Sequence, residues 1–206
     1  MSIPGHTILS PTDEDIPVLA KYLQASKLTL DINRFLWLDW PNKAAQHDDY
    51  TRAIKESFQN PEVAPFKVIH DDSGEIVAHL SLTQMNHEKA VQPTADEEPK
   101  PVPRGINPEV YATVHRTAGE LNKHWEGKEH LRLTWIYVRP ESRKNGIGTA
   151  LVNMALQKAR EQGVPLVALS EPGAREFFLK VGLKDIVHAD VDLNQWASGK
   201  GEYKAF

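Results

Sequence analysis

The chain has 206 residues, with 24 Lys and Arg against 28 Asp and Glu, and a formal charge of −4 at pH 7. Hydrophobic residues make up 40% and charged residues 25%, which excludes a collagen-like, wholly disordered or simple coiled-coil chain, and the acidic balance argues against electrostatic binding to nucleic acid or an anionic membrane. With no cysteine, disulfides, thiolate metal sites and cysteine nucleophiles are ruled out, and a cytoplasmic location is expected. No stretch reaches the ~18 apolar residues of a membrane span, and the first residues lack the basic-then-apolar layout of a signal peptide.

Taken in chain order, residues 6–10 read as a short strand. Thr12 to Asp15 offer capping oxygens, and Ile16, Leu19, Ala20 and Leu23 follow at the spacing of an amphipathic helix, with Pro17 tolerated only in its first turn. Phe35, Trp37 and Trp40 precede a second helix over 48–59, closed by Asn60-Pro61. Residues 66–70 and 75–82, separated by Asp71-Asp72-Ser73-Gly74, form a hairpin pattern. Residues 86–128 are rich in proline and carry Asp96-Glu97-Glu98, so they are expected to be an insertion into a single domain spanning 1–206, with a helix over 110–125.

Residues 131–138 give the clearest strand signal, and Ile147, Leu151, Met154, Ala155 and Ala159 then form the buried stripe of a helix. A strand over 166–170, a short helix over 172–181 and a strand near 185–192 complete the series. Helices set between strands in this way predict a three-layer α/β or α+β domain around a mixed sheet.

Arg143-Lys144-Asn145-Gly146-Ile147-Gly148-Thr149 lies between a strand and the first turn of a helix. Free backbone N–H groups, the positive end of the peptide dipole and glycines without a Cβ make such a turn an anion site. It is not a P-loop, because Thr149 follows Gly148 without the lysine, and it is not a dinucleotide fingerprint, because Leu occupies position 151.

The segment Val138-Arg139-Pro140 followed by Arg143-Lys144-Asn145-Gly146-Ile147-Gly148 resembles motif A of the GNAT acetyltransferase superfamily, and 173–183, with Phe177-Phe178 and Gly182, resembles its motif B. The order of elements is similar as well, which implies a GNAT-like mixed, mostly antiparallel central sheet with helices on both faces, and the long insertion resembles fungal members. The resemblance implies an N-acetyltransferase that moves an acetyl group from acetyl-CoA to a primary amine, on a small molecule or a peptide, by direct attack in a ternary complex. It assigns Ile136, Tyr137 and Val138 to the pantetheine arm and Arg143, Lys144, Asn145, Gly146, Ile147, Gly148 and Thr149 to the diphosphate. Val138 would polarise the thioester oxygen, Ser170 would line the gap where two strands part, and Phe178 would sit beside the cofactor where the family often has a tyrosine that protonates the leaving thiolate.

Because that acid is absent and strand 131–138 carries no glutamate, a second expectation is an acyl-CoA-binding protein with weakened turnover; a third is an interaction module built on the insertion. Glu129, His130 and His79 are the candidate bases, acting through water. Phe35, Trp37 and Trp40 either line an acceptor pocket or pack in the core. No histidine spacing is diagnostic of a metal, and none is expected.

Overall fold

A computed structural model describes residues 3–41, 43–86, 102–197 and 202–206. Asp96-Glu97-Glu98 lies outside the described residues. In chain order the elements are β1 (His6–Leu9), α1 (Ile16–Lys27), α2 (Asn33–Leu36), α3 (Lys43–Gln59), β2 (Val63–His70), β3 (Ile76–Met85), α4 (Pro108–Lys123), β4 (His130–Val138), α5 (Ile147–Glu161), β5 (Leu166–Ala168), α6 (Arg175–Lys180), β6 (Ala189–Asp192) and β7 (Glu202–Ala205). They fall into two compact units, described one at a time.

The first unit comprises the described residues up to Ser26, Gln46–Met85 and Glu129–Ala168. Its sheet has the order β1-β2-β3-β4-β5, antiparallel except for the parallel β4–β5 pair. Adjacent residues of β2 reveal what covers each face. Lys158 of α5 sits over the Phe66 ring at 5.3 Å, whereas Lys67 bonds Asp15, just ahead of α1, at 2.6 Å. Successive strand residues point to opposite faces, so α5 covers one side and α1 the other.

Each layer is built as its sequence stripe demands. Ile16, Leu19 and Leu23 of α1 join Ile54 of α3 in one cluster, against which Tyr22, Ile76 and Trp135 pack. On the other face, Ile147, Leu151, Val152, Ala155 and Ala159 of α5 are buried, and the helix lies against β3, β4 and β5. Leu151 is completely buried, so its truncation to alanine would cost about 3 kcal/mol.

The second unit holds the described residues of Lys27–Ala45, Asn86–Lys128 and Leu169–Phe206. Asn107 caps α4 by accepting from the N–H groups of Glu109 and Val110, and Pro108 occupies the first helical position. Ile32, Val110, Val191 and Leu193 form its core, with Phe35 and Trp196 packed against them. Trp37, 7% exposed, is also a core residue, while Trp40 is half-buried. Two of the three aromatic residues weighed for an acceptor pocket therefore serve packing.

Several boundaries differ from the sequence expectation. α3 starts at Lys43, five residues early, the strand expected over 166–170 ends at Ala168, and the one expected near 185–192 is reduced to Ala189–Asp192. Neither the single turn α2 nor β7 was expected. A four-residue element is too short for a periodic signal, and β7 is defined by pairing with β6.

Candidate active site

The loop between β4 and α5 is shaped by two left-handed residues, Lys144 at φ 65° and Gly146 at φ 79°. A Cβ at Gly146 would meet nothing within 4 Å, so the backbone angle demands the glycine and the space above it is open. Gly146 is the N-cap of α5, yet no side chain caps that helix, unlike α4. The first intrahelical bond runs from Ala150 N–H to Gly146 O. Thus the N–H groups of Ile147, Gly148 and Thr149 precede the helix's own hydrogen bonding and carry its positive dipole end. The Ile147 side chain is buried in the core, which leaves only its backbone for a ligand. Exposed Lys144 and Asn145 flank the turn.

Alongside the loop runs an open strand edge. β4 pairs with β5 only at Leu131, Arg132 and Leu133. From Thr134 to Val138 no β5 residue lies alongside, so the two strands part. At that point β4 also carries an extra residue: Ser81 pairs with Trp135 and Leu82 with Leu133, leaving Thr134 as a bulge. Beyond it the antiparallel alternation is fixed by the bond from Arg139 N–H to Val77 O, 2.8 Å. His79 and Tyr137 therefore form a hydrogen-bonded pair, whereas the N–H and C=O groups of Ile136 and Val138 point away from β3 to the free edge.

This register separates the three residues expected at the pantetheine arm: the backbone of Tyr137 faces His79 of β3, and those of Ile136 and Val138 face the edge. The Tyr137 ring stacks on Tyr22 at 4.8 Å and 29°, and burial pushes both phenols above their ordinary range. The Tyr22 hydroxyl donates to Ile76 O. The Arg143 side chain reaches the strand: its Nε donates to Val138 O at 2.9 Å and its Cζ lies 5.7 Å from the Tyr137 ring centre.

The three candidate bases separate by position. Glu129 and His130 stand at the opposite end of β4; eight residues of strand put His130 about 26 Å from Val138. His79, in contrast, is paired with Tyr137 beside the open edge. It is 2% exposed, its Nε2 has no hydrogen-bond partner, and burial pushes its pKa down to about 4. The imidazole is neutral at pH 7 and a poor base.

Ser170 and Phe178 belong to the second unit. Ser170 lies two residues past the end of β5, its backbone exchanges hydrogen bonds with Phe206, and its hydroxyl donates to Glu171 O at 3.1 Å. The Ser170 backbone is thus paired with Phe206 and its hydroxyl proton with Glu171 O. Phe178 is 7% exposed, with its ring 5.3 Å from that of Phe177. Among the described residues, no cluster of three or more His, Cys, Asp or Glu could hold a metal, and no helix is long and apolar enough to cross a membrane.

Comparison with known proteins follows the same lines. Residues 29–183 match the acetyltransferase (GNAT) family. A 64-residue stretch is 36% identical to an uncharacterised N-acetyltransferase of Methanocaldococcus jannaschii, covering 29% of this chain and 28% of that protein. The fold is shared with a GCN5-related N-acetyltransferase from Ralstonia eutropha JMP134 (15% identity, 89% of this chain and 95% of that one, TM-score 0.56). It is also shared with a predicted acetyltransferase with acetyl-CoA from Clostridium acetobutylicum (15%, 88% and 91%, TM-score 0.51) and with an aminoglycoside 6'-N-acetyltransferase of Acinetobacter haemolyticus (10%, 88% and 92%, TM-score 0.53).

Proposed function

The chain belongs to the GNAT acetyltransferase family, and from that premise we propose that it moves an acetyl group from acetyl-CoA to a primary amine, on a small molecule or a peptide, by direct attack in a ternary complex. The observation that carries this reading is the pairing of two unfilled donor sets on one stretch of chain. The uncapped start of α5 suits a diphosphate. The free edge of β4 at Ile136 and Val138 suits the amides of the pantetheine arm.

When bound, acetyl-CoA supplies an activated thioester. Val138 N–H, held in a strand, is aimed at the edge and suits the thioester oxygen as it gains charge, a preorganised contact worth a few kcal/mol. Ile147, Gly148 and Thr149 N–H groups, with Lys144, hold the diphosphate. An amine with a pKa near 10 must lose a proton before it attacks; His79, neutral and weakly basic, leaves that proton to water. Titration calorimetry with acetyl-CoA tests the cradle, and Gly148→Asp, which sets a carboxylate against the anion, should weaken binding more than tenfold with melting unchanged. Heat of the same size in the variant would refute the diphosphate site.

The alternative is an acyl-CoA-binding protein with weakened turnover. Phe178 in the position of the family's tyrosine and a β4 strand without a carboxylate favour it. A thiol-release screen over small amines, peptides with free N-termini and lysine peptides separates the two. Acceptor-dependent CoA release supports the enzyme; tight CoA binding with no release across the panel supports the alternative.

A further inference from the structure

We propose that Arg143 is a positioning residue that latches the end of β4, and not a ligand of the diphosphate. Among the described residues, its guanidinium contacts the strand at Val138 and Tyr137. Nε donates to Val138 O at 2.9 Å, and the group lies over the Tyr137 ring at 5.7 Å. That ring is backed by Tyr22 at 4.8 Å, whose hydroxyl is tied to Ile76 O. The arginine thus closes a stack running from the loop through β4 to α1, all within one unit.

The location explains the need. Beyond Leu133 the strand has lost its β5 neighbour, so one side of its backbone has no ladder to hold it. A planar, always-charged group that donates and stacks at once is suited to replace that support, which an ammonium on a flexible stem is not. One guanidinium thus holds two successive residues, Val138 by its carbonyl and Tyr137 by its ring. The same bond takes up the Val138 carbonyl, leaving the edge with Val138 N–H and the groups of Ile136. The anion is left to the α5 N–H groups and Lys144.

The ligand side of this inference rests on the acetyl-CoA reading; its geometry does not. Two ligands distinguish latch from phosphate contact: acetyl-CoA, and S-acetylpantetheine, which lacks the nucleotide and the diphosphate. With the latch, Arg143→Ala weakens both by a similar factor, roughly tenfold, and Arg143→Lys rescues neither. A phosphate contact predicts loss for acetyl-CoA alone, largely restored by lysine; that result, or unchanged affinities, overturns the proposal. Hydrogen exchange in the ligand-free proteins gives an independent readout, with faster exchange at 134–138 expected in Arg143→Ala and melting little changed. If wild type binds neither ligand, the acetyl-CoA reading fails on its own, and unchanged exchange at 134–138 then overturns the latch.

Discussion

The hydroxyls of Thr83 and Thr134 meet at 2.6 Å across β3 and β4, at the residue that breaks the register between those strands. The bulge there decides which backbone groups face the open edge, because one extra residue reverses the alternation beyond it. Thr83→Val removes the bond while keeping the shape. It should lower stability by about 1 kcal/mol and weaken acetyl-CoA binding, since the strand beyond the bulge is less firmly set. Chemical denaturation and calorimetry check both effects; unchanged binding would show that the bulge holds without the hydroxyl pair.

His79 makes stability depend on pH. Burial pushes its pKa down to about 4 from an unfolded value near 6.5. As pH falls from 6.5 towards 4, the unfolded chain takes up a proton that the folded chain refuses, so stability is lost on acidification, by about 3 kcal/mol at pH 4. Tyr137, its register partner on β4, has its phenol pushed up by burial and stays neutral through this window. Asp15 opposes burial with hydrogen bonds from Lys67 and Thr12 that hold its carboxyl below the usual range, so its contribution is lost only at lower pH. Unfolding free energies at pH 7 and pH 4 should differ by about 3 kcal/mol more in wild type than in His79→Gln; parallel slopes would contradict the buried neutral imidazole.

Lys144 and Gly146 share left-handed backbone and should respond oppositely to substitution. Lys144→Gly relieves a strained φ of 65° and should raise stability by about 1 kcal/mol, while removing one charge from the anion turn and weakening acetyl-CoA severalfold. Gly146→Ala imposes strain at φ 79° and should cost about 1 kcal/mol, although no neighbour obstructs the new Cβ. Thermal unfolding resolves the two signs, and a matching sign for both variants would contradict the loop geometry.

Phe178→Tyr restores the hydroxyl that the family resemblance puts at this position. Turnover should rise severalfold or more, as expected for a gained general acid, with the KM for acetyl-CoA unchanged. The wild-type ring is only 7% exposed, so the added hydroxyl needs a polar partner. A drop in melting temperature together with unchanged kcat would mean that the ring edge faces packed side chains and that no acid acts from there.

Much of this molecule is written locally. The stripe Ile16, Leu19, Leu23 gives α1 its buried face, the run Asp71 to Gly74 turns the hairpin, and the glycines after Arg143 open α5 without a cap, because helix period, turn chemistry and capping depend on residues a few positions apart. What lay beyond the sequence concerns partners distant along the chain. Nothing in residues 130–138 reveals that Thr134 is an extra residue, that β5 stops alongside at Leu133, or that Arg143 folds back onto Val138. Spacing along the strand already separates Glu129 and His130 from Val138, but it could not tell that His79 is buried or that the Ser170 backbone pairs with Phe206. Register and burial are settled by which strands and helices meet, and those contacts exist only in the folded chain.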